Sequence, residues 1–339
     1  DITLIDLVVV NLYPFQSVIQ NPDVKLSDAI ENIDIGGPSM VRSAAKNYQS
    51  VGVIVNPKRY DTVLSQLKKN DGSLSMELKQ SLAQEAFAHT AQYDSAIAQY
   101  LAGQVAESTS FPDSLIPVLT KRSEMRYGEN PHQKAALYQF QGQKGVANYR
   151  QLHGKELSYN NIVDLEAAAL IVHEFTQPGA AVIKHTNPCG AAIGDNLEVA
   201  YQKAHDADQK SAFGSIVGLN REVDAGTATA ISKTFVEVVV APGFSDEALA
   251  ILTQKESLRL VVVDGLKDLA KGVAYRFIDG GMLVQTVDNG QVSMDSAKIV
   301  TSTQPTDAQM TDLVFANSVC KYVKSNAILV AKDGQAIGC

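Results

Sequence analysis

The sequence predicts an α/β fold in which short buried strands alternate with helices. Residues 7–10 and 51–55 are short apolar runs bounded by turn residues, which is typical of buried strands. Segments with helical spacing separate them, and this alternation favours a parallel sheet. The 339 residues, 45% of them hydrophobic and 19% charged, are enough for two packed domains of ordinary size.

The first half of the chain alternates between these two strands and four predicted helices. The helices cover residues 28–33, 39–47, a segment opened by Asn56-Pro57, and 74–102. We predict Pro38 at the first helical position of the second helix, because the N–H that proline lacks would have no partner there. Residues 74–102 contain no proline and predict one long or broken helix.

The second half begins after a predicted linker at residues 108–117 and forms another α/β region from near Val118. Its predicted strands are 180–184, 236–241, 258–263 and 282–287, and its predicted helices are 161–175, 197–206, one from Ser245, and 307–324. Thr306 is the expected N-cap of the last helix. Asp333-Gly334 predicts a hairpin turn. Because both ends of the chain fall close to strands, we expect a fragment of a longer protein.

Composition narrows the class of protein. The net charge of −8, with no basic block, argues against a protein that binds nucleic acid through phosphate contacts. The three cysteines are scattered, which favours a reducing compartment and no disulfide framework. No apolar stretch is long enough to span a bilayer, and the first residues do not resemble a signal peptide. We expect a cytoplasmic protein with no nucleic-acid or membrane partner.

Residues 184–190, Lys-His-Thr-Asn-Pro-Cys-Gly, are the strongest candidate site. They follow the apolar run 180–183, so Lys184 and His185 lie where a predicted strand ends. Histidine can take a proton near neutral pH, and a lysine ammonium can stabilise developing negative charge. Successive strand residues point to opposite faces, so both side chains serve one substrate only if the chain turns at once. Residues 186–188 are predicted to form that turn; an ordinary surface Lys-His pair is an equally good interpretation of this segment alone.

A second candidate site lies at residues 34–46. Gly36-Gly37 leaves the backbone uncovered in front of a helix, and free N–H groups there favour an anion. Arg42 and Lys46 are four residues apart and share one helix face. The alternative is a plain glycine loop with two solvated cations. Tyr13, at the end of the first strand, either anchors a loop or joins this site if Asp34 and Lys46 are near.

Five further residues in the second half are candidates for binding. Arg126 can bind a phosphate or carboxylate with two hydrogen bonds, beside Tyr127. Gly214 permits close approach of a ligand or marks a bulge. Glu237 lies in an apolar strand and needs a partner, either a ligand or a salt bridge. Asn326 either caps a helix or touches a ligand.

A zinc site of the nucleobase-deaminase type is not favoured. Pro188-Cys189 matches the start of a Pro-Cys-x-x-Cys motif, but Ala192 occupies the position of the second cysteine. No His-x-Glu element precedes it. We therefore predict no catalytic metal.

Seven segments, taken together and in order, resemble one enzyme family. They are residues 11–15, 34–37 and 42–47 in the first half, and residues 126–133, 184–190, 211–214 and 324–326 in the second. The chain is similar over essentially its whole length to the bifunctional purine-biosynthesis family that joins phosphoribosylaminoimidazolecarboxamide formyltransferase to IMP cyclohydrolase.

The resemblance implies two reactions. The second domain would transfer a formyl group from 10-formyltetrahydrofolate, the cosubstrate, to aminoimidazole carboxamide ribonucleotide, and the first would close the product to IMP with loss of water. It implies that His185 is the base, that Lys184 stabilises the transition state, and that Lys46 is the acid/base lysine of ring closure. Positions that the family uses to contact nucleotide match Arg126, Tyr127, Gly214, Glu237 and Asn326 in the second domain, and Asn11, Tyr13, Asp34 and Ile35 in the first.

The resemblance also implies how the chain is organised. Residues 1–108 would be a partial cyclohydrolase domain with a doubly wound, methylglyoxal-synthase-like parallel sheet, lacking its N-terminal part. Residues 119–339 would be a metal-free, cytidine-deaminase-like transferase domain, lacking its C-terminal part. Family members are homodimers with transferase sites at the subunit interface. The alternatives are a noncatalytic nucleotide-binding or dimerisation fragment and a zinc nucleobase deaminase.

Overall fold

The structure, a computed structural model, describes residues 3–104, 111–140, 144–269, 272–290, 292 and 297–339. The chain divides into two compact units, with the main boundary between Leu119 and Thr120. Leu119 and Phe140, which are end residues of two strands of the second unit, are grouped with the first. The domain limit expected at residue 108 and the first residues of the expected linker, 108–110, lie outside the described residues.

In the described part of the first unit, two parallel strands pack between helices. The elements are β1 Leu7–Val9, α1 Phe15–Ile19, α2 Leu26–Glu31, α3 Gly36–Lys46, β2 Gly52–Ile54, α4 Tyr60–Lys69 and α5 Met76–Ala102, with a 3₁₀ turn at Pro57–Arg59. Val53 of β2 packs with α3 and α5, whereas Ile54 packs with α4 and α5. The parallel pairing of β1 with β2 agrees with the alternation of strands and helices in the sequence.

Helix α3 begins earlier than the sequence predicts. Its first residue is Gly36, so Pro38 is the third helical residue and the prediction that it is the first is wrong. The Asp34 carboxylate accepts a hydrogen bond from the Gly37 N–H at 2.7 Å and starts the helix ahead of the proline. Proline is tolerated there because N–H groups throughout a first turn have no partner within the helix.

The second unit is built on a large mixed sheet. The strands of this unit are β3 Leu119–Met125, β4 Ala135–Phe140, β5 Arg150–His153, β6 Gly179–Lys184, β7 Asn187–Ile193, β8 Ser215–Leu219, β9 Val236–Ala241, β10 Arg259–Val262, β11 Val273–Ile278, β12 Gly281–Thr286, β13 Val330–Lys332 and β14 Gln335–Gly338. Eight strands of the described residues form one sheet in the order β13-β14-β7-β6-β8-β9-β10-β5. Strands β8, β9 and β10 are parallel, while β6 is antiparallel to both β7 and β8.

Helices cover both faces of this sheet. They are α6 Tyr159–His173, α7 Leu197–Asp206, α8 Ala225–Ser232, α9 Asp246–Leu252 and α10 Asp307–Cys320. Ala180 and Val182 of β6 pack with α7, α8 and α9, whereas Ala181 and Ile183 pack with α6 and α10. Both faces are buried, which explains why the strands are almost continuously apolar. The same alternation directs Lys184 to the face that carries α7.

Tyr201 of α7 makes the second unit sensitive to alkaline pH. Its side chain is 1% exposed, and burial raises its pKa to about 12. The unfolded state loses this proton near pH 10, so we expect stability to be unchanged below that pH and to fall as the pH rises from 10 to about 12. Tyr201→Phe should remove about 2–3 kcal/mol of this loss. Denaturant unfolding at pH 9 and pH 12 measures the fall in the free energy of unfolding. The control is Tyr138→Phe: Tyr138 is exposed, so this variant should lose as much stability between the two pH values as the unaltered protein.

Candidate functional site

A two-residue turn between β6 and β7 presents the central residues of the candidate site. His185 and Thr186 both have positive φ, 53° and 65°, and Asn187 already begins β7. The prediction that residues 186–188 form the turn is therefore wrong. A turn with two left-handed residues matches the twist of a hairpin, but it is normally signalled by Asn-Gly or Asp-Gly rather than His-Thr.

Asp164 of α6 holds this turn from outside the hairpin. Its carboxylate accepts the Thr186 N–H at 2.6 Å and the His185 N–H at 3.3 Å. Left-handed backbone is unfavourable for residues other than glycine. Two hydrogen bonds to one charged acceptor offset that cost.

Two β-bulges lie next to the turn. In β7, Gly190 pairs with Val182 and Pro188 with Ile183, so Cys189 is an extra residue. In β9, a register shift between Ser215 and Ile216 leaves Glu237 as the extra residue. A bulge changes the direction of a side chain relative to the regular alternation of a strand. The two bulges therefore change the directions of the Cys189 and Glu237 side chains, which lie near the Lys184-His185 turn.

An open cavity of about 780 Å³ lies beside the turn, within the size range of small-molecule sites. Its lining includes Lys184, His185, Asn187, Cys189, Asp208, Ser211, Lys324, Asn326 and residues 336–339. The structure thus brings three predicted site residues, Lys184, His185 and Asn326, to one cavity. Helix α10 ends at Cys320, so Asn326 does not cap it and that alternative is wrong.

The Lys184 ammonium is fixed beside this cavity by backbone carbonyls. Its Nζ donates to the carbonyl of Gly214 at 2.8 Å and to that of Phe213 at 3.3 Å. Gly214 has φ +69°, and a Cβ at this position would lie 3.2 Å from Lys184 Nζ and 3.6 Å from Glu237 Oε1. Gly214 is thus required both for its backbone conformation and for this close approach.

Glu237 is only loosely paired. Its Oε2 accepts from Asn161 Nδ2 at 3.3 Å and lies 4.0 Å from Arg259 Nη1, the limit for an ion pair. Its side chain is 39% exposed. The carboxylate thus has one weak ion pair and enough exposure to accept a further hydrogen bond.

Arg126 and Tyr127 follow β3 in a loop and are not among the described residues that line the cavity. The Arg126 guanidinium lies 5.5 Å from the centre of the Tyr127 ring. Asn160 of α6 donates to the Glu129 carbonyl at 3.4 Å, which ties the loop to the start of that helix. The loop is thus attached next to Asn161, the residue that contacts Glu237.

In the first unit, Asp34 occupies the start of α3. Its carboxylate accepts from the N–H groups of Gly37 and Tyr13, the latter at 3.4 Å, and its own N–H donates to the Tyr93 hydroxyl at 2.8 Å. The Gly37 N–H, which was predicted to be free to bind an anion, is thus hydrogen-bonded to Asp34. The Tyr13 N–H lies beside Asp34, which meets one of the two conditions for Tyr13 to join this site; the other is that Lys46 is also near.

Lys46 is not brought to Asp34. It ends α3, ten residues after Gly36, which corresponds to about 15 Å along a helix axis. A continuous helix of three turns keeps its ends apart. Asn11 Nδ2 lies 3.5 Å from the Tyr60 hydroxyl, and Ile35 is 75% exposed.

The cavity also contains a thiol that is protonated at neutral pH. Burial, followed by the nearby Asp208 carboxylate, raises the pKa of Cys189 to about 11. Hydrogen bonds from Ser211 lower the pKa of Asp208, so this carboxylate is charged. Cys189 is therefore a poor nucleophile at pH 7.

Among the residues that the structure describes, no three His, Cys, Asp or Glu side chains lie together as a potential metal site. Within the same residues, no helix combines the length and the hydropathy needed to cross a bilayer.

Sequence reasoning missed Asp164 and Asn161. They lie three apart on α6, and hence on one face of that helix. This spacing was the available signal, but α6 also carries Asn160 and Glu166, so polarity alone did not single the pair out. What it touches depends on the tertiary fold.

Comparison with known proteins gives a consistent result. The family described as "AICARFT/IMPCHase bienzyme" matches residues 44–339. The bifunctional purine biosynthesis protein PurH of Listeria monocytogenes serotype 4a (strain HCC23) is 50% identical over 340 residues, which cover 100% of this chain and 66% of that protein. The PurH protein of Rippkaea orientalis (strain PCC 8801 / RF-1) is 52% identical over 338 residues, covering 98% and 65%. The chain thus spans just under two thirds of the length of these relatives.

A solved structure, the crystal structure of ForH, shares 33% identity over 28% of this chain and 50% of its own. Its TM-score of 0.26 is too low to support any statement about the fold.

Proposed function

Because the chain belongs to the AICARFT/IMPCHase bienzyme family, we propose that the protein catalyses the two reactions implied by the resemblance in de novo purine biosynthesis. The first is formyl transfer from 10-formyltetrahydrofolate to the 5-amino group of aminoimidazole carboxamide ribonucleotide. The second is cyclodehydration of the formylated product to IMP. The observation that carries the transferase assignment is the convergence of Lys184, His185 and Asn326 on one cavity.

The two units serve the two reactions in this proposal. Residues 1–108 form part of a methylglyoxal-synthase-like cyclohydrolase domain, and residues 119–339 form part of a cytidine-deaminase-like transferase domain that works without a metal. The protein acts in the cytoplasm as a homodimer. Its partners are small nucleotide and folate substrates.

In the transferase reaction, His185 and Lys184 have separate roles. The amine is conjugated to a carboxamide ring and is a poor nucleophile, so it must lose a proton as it attacks the formyl carbon. The His185 imidazole takes that proton and returns it to N10 of the folate as the carbon–N10 bond breaks. The Lys184 ammonium, held by two carbonyls, stabilises the oxyanion of the tetrahedral adduct.

The remaining site residues bind the nucleotide. Asn326 contacts it within the cavity, while Gly214 and Glu237 lie behind Lys184. Arg126 and Tyr127 approach from the loop after β3. Arg126 binds the phosphate, because a guanidinium can make two parallel hydrogen bonds to it.

The first unit carries the ring closure. Asn11, Tyr13, Asp34 and Ile35 surround the nucleotide, and Lys46 is the acid/base residue. The contact between Asp34 and Tyr13 supports the placing of the nucleotide near the start of α3. The position of Lys46 at the far end of α3 does not by itself support its role.

Gly214→Ala tests the transferase assignment. The new methyl group would lie 3.2 Å from Lys184 Nζ and displace the ammonium, so we expect the kcat of formyl transfer to fall by about 10²-fold, the cost of losing one fixed transition-state contact. The control is Gly280→Ala. Gly280 also has a positive φ, +73°, but nothing lies within 4 Å of its added methyl group.

Both variants incur the same backbone strain, so only the Gly214 variant should lose transferase activity beyond any loss of stability. Ring closure, assayed separately on the formylated nucleotide, should be equal in both. Nucleotide binding without formyl transfer in the unaltered protein would instead support a noncatalytic binding protein. Equal transferase activity in the two variants would contradict the role of Lys184.

A further inference from the structure

We propose that Asp164 is a positioning residue that holds the imidazole of His185 in place for proton transfer. This inference rests on the proposed transferase function. Asp164 lies on α6, does not line the cavity, and is in none of the seven segments that carry the family resemblance.

The first step is that the turn needs outside support. His185 and Thr186 both adopt left-handed backbone, and Thr186 is β-branched, the type of residue least suited to it. Neither residue supplies the Asn or Gly that stabilises such a turn by itself. The Asp164 carboxylate accepts the N–H of each residue, one on each oxygen.

The second step is that the turn sets the position from which the ring extends. Among the residues that the structure describes, none hydrogen-bonds the His185 imidazole, and the side chain is exposed. The contacts of this residue are made by its backbone: its carbonyl accepts from the Thr186 hydroxyl at 2.6 Å and from Asn187 Nδ2 at 3.3 Å. Asp164 therefore fixes the direction of the His185 Cα–Cβ bond, from which the imidazole extends into the cavity.

The third step is that Asp164 is itself rigidly held. It lies on α6 next to Leu165, which is fully buried, and one turn before Ala168, also fully buried. These residues pack against the sheet that carries β6. Asp164 thus links the packed helix α6 to the exposed His185-Thr186 turn. Through this link the packed helix holds the backbone of the turn while the His185 side chain stays accessible.

The test is Asp164→Ala, alone and combined with Thr186→Gly. We expect the single Asp164 variant to lower the kcat of formyl transfer by about 10–10²-fold with little change in KM for the nucleotide, because a misplacement near 1 Å is enough for such a loss. Glycine adopts positive φ without strain, so the double variant should recover most of the lost kcat. Asp164→Asn, which keeps one acceptor oxygen, should lie between.

Asp224→Ala is the matched control. Asp224 also accepts a backbone N–H, that of Thr227 at 2.7 Å, but it caps α8. Its loss should reduce stability without affecting kcat. If Asp164→Ala is too unstable to assay, Asp164→Asn and the double variant give the same comparison.

Three outcomes separate the inference from the function on which it rests. If the unaltered protein does not transfer formyl groups, the proposed function is refuted. The Thr186 amide proton resonance then still shows whether Asp164 holds the turn, because the short hydrogen bond to a carboxylate shifts this resonance downfield. Full kcat in an active Asp164→Ala variant overturns the inference. Failure of Thr186→Gly to restore kcat also overturns it, because Asp164 would then act other than through the turn.

Discussion

Replacing His185 with alanine is expected to lower the kcat of formyl transfer by about 10²–10⁴-fold, the usual contribution of a positioned general base. The imidazole lines the cavity beside Lys184 and, in our proposal, takes the proton that the substrate amine loses as it attacks. Ring closure belongs to the other unit in our proposal and should keep its rate. A coupled assay that follows formylated nucleotide and IMP separately measures both reactions.

His153→Gln provides the matched control. His153 is on β5, the strand at one margin of the large sheet, and its Nε2 lies 3.2 Å from the Lys255 carbonyl, a contact that glutamine can replace. This variant should transfer formyl groups at the unaltered rate. A His185→Ala protein that does the same would remove the base from the proposed mechanism, whatever its effect on ring closure.

Lys321→Met is expected to lower the free energy of unfolding of the second unit by about 3–5 kcal/mol. Lys321 Nζ lies 2.7 Å from Glu174 Oε1, and the two side chains are only 11% and 5% exposed. The Tyr322 hydroxyl donates to the same oxygen at 2.6 Å. Without lysine, the glutamate is a buried charge held by one neutral donor. Chemical denaturation followed by circular dichroism measures the loss.

The double variant Glu174→Gln/Lys321→Met separates the buried charge from the packing. Glutamine still accepts from Tyr322, and no unpaired charge remains, so we expect stability to return to within about 1–2 kcal/mol of the unaltered protein. The control is Lys121→Met, which breaks an exposed ion pair with Glu124 and should leave the stability almost unchanged. Equal losses in Lys321→Met and in the double variant would show that the charge is not what matters.

Much of the fold was predictable because local signals determine it. The strand at residues 236–241 and the helix at 197–206 have the predicted bounds. Thr306 caps α10 as predicted, and Asp333-Gly334 forms the expected turn with both residues at positive φ. In each case the signal is carried within a few residues, by apolar periodicity, a capping hydroxyl or a turn dipeptide.

The site was less predictable because its geometry depends on residues far apart in the sequence. The His185-Thr186 turn is stabilised by Asp164, some twenty residues earlier, and nothing in the turn itself indicates this. The bulges at Cys189 and Glu237 are set by the register of neighbouring strands. The end of a predicted strand made Lys184 and His185 candidates, but the sequence did not show which residues support them.

The walls of the cavity differ in how firmly the sheet holds them. Lys184 ends β6, which has hydrogen-bonded neighbours on both sides within the interior of the sheet. Another wall comes from residues 323–324, 326–328 and 336–339, which lie in or near the last two strands at the sheet margin. Marginal elements open locally at a lower free-energy cost than central ones. Local opening of the cavity therefore costs less free energy at this wall than at the wall formed by Lys184.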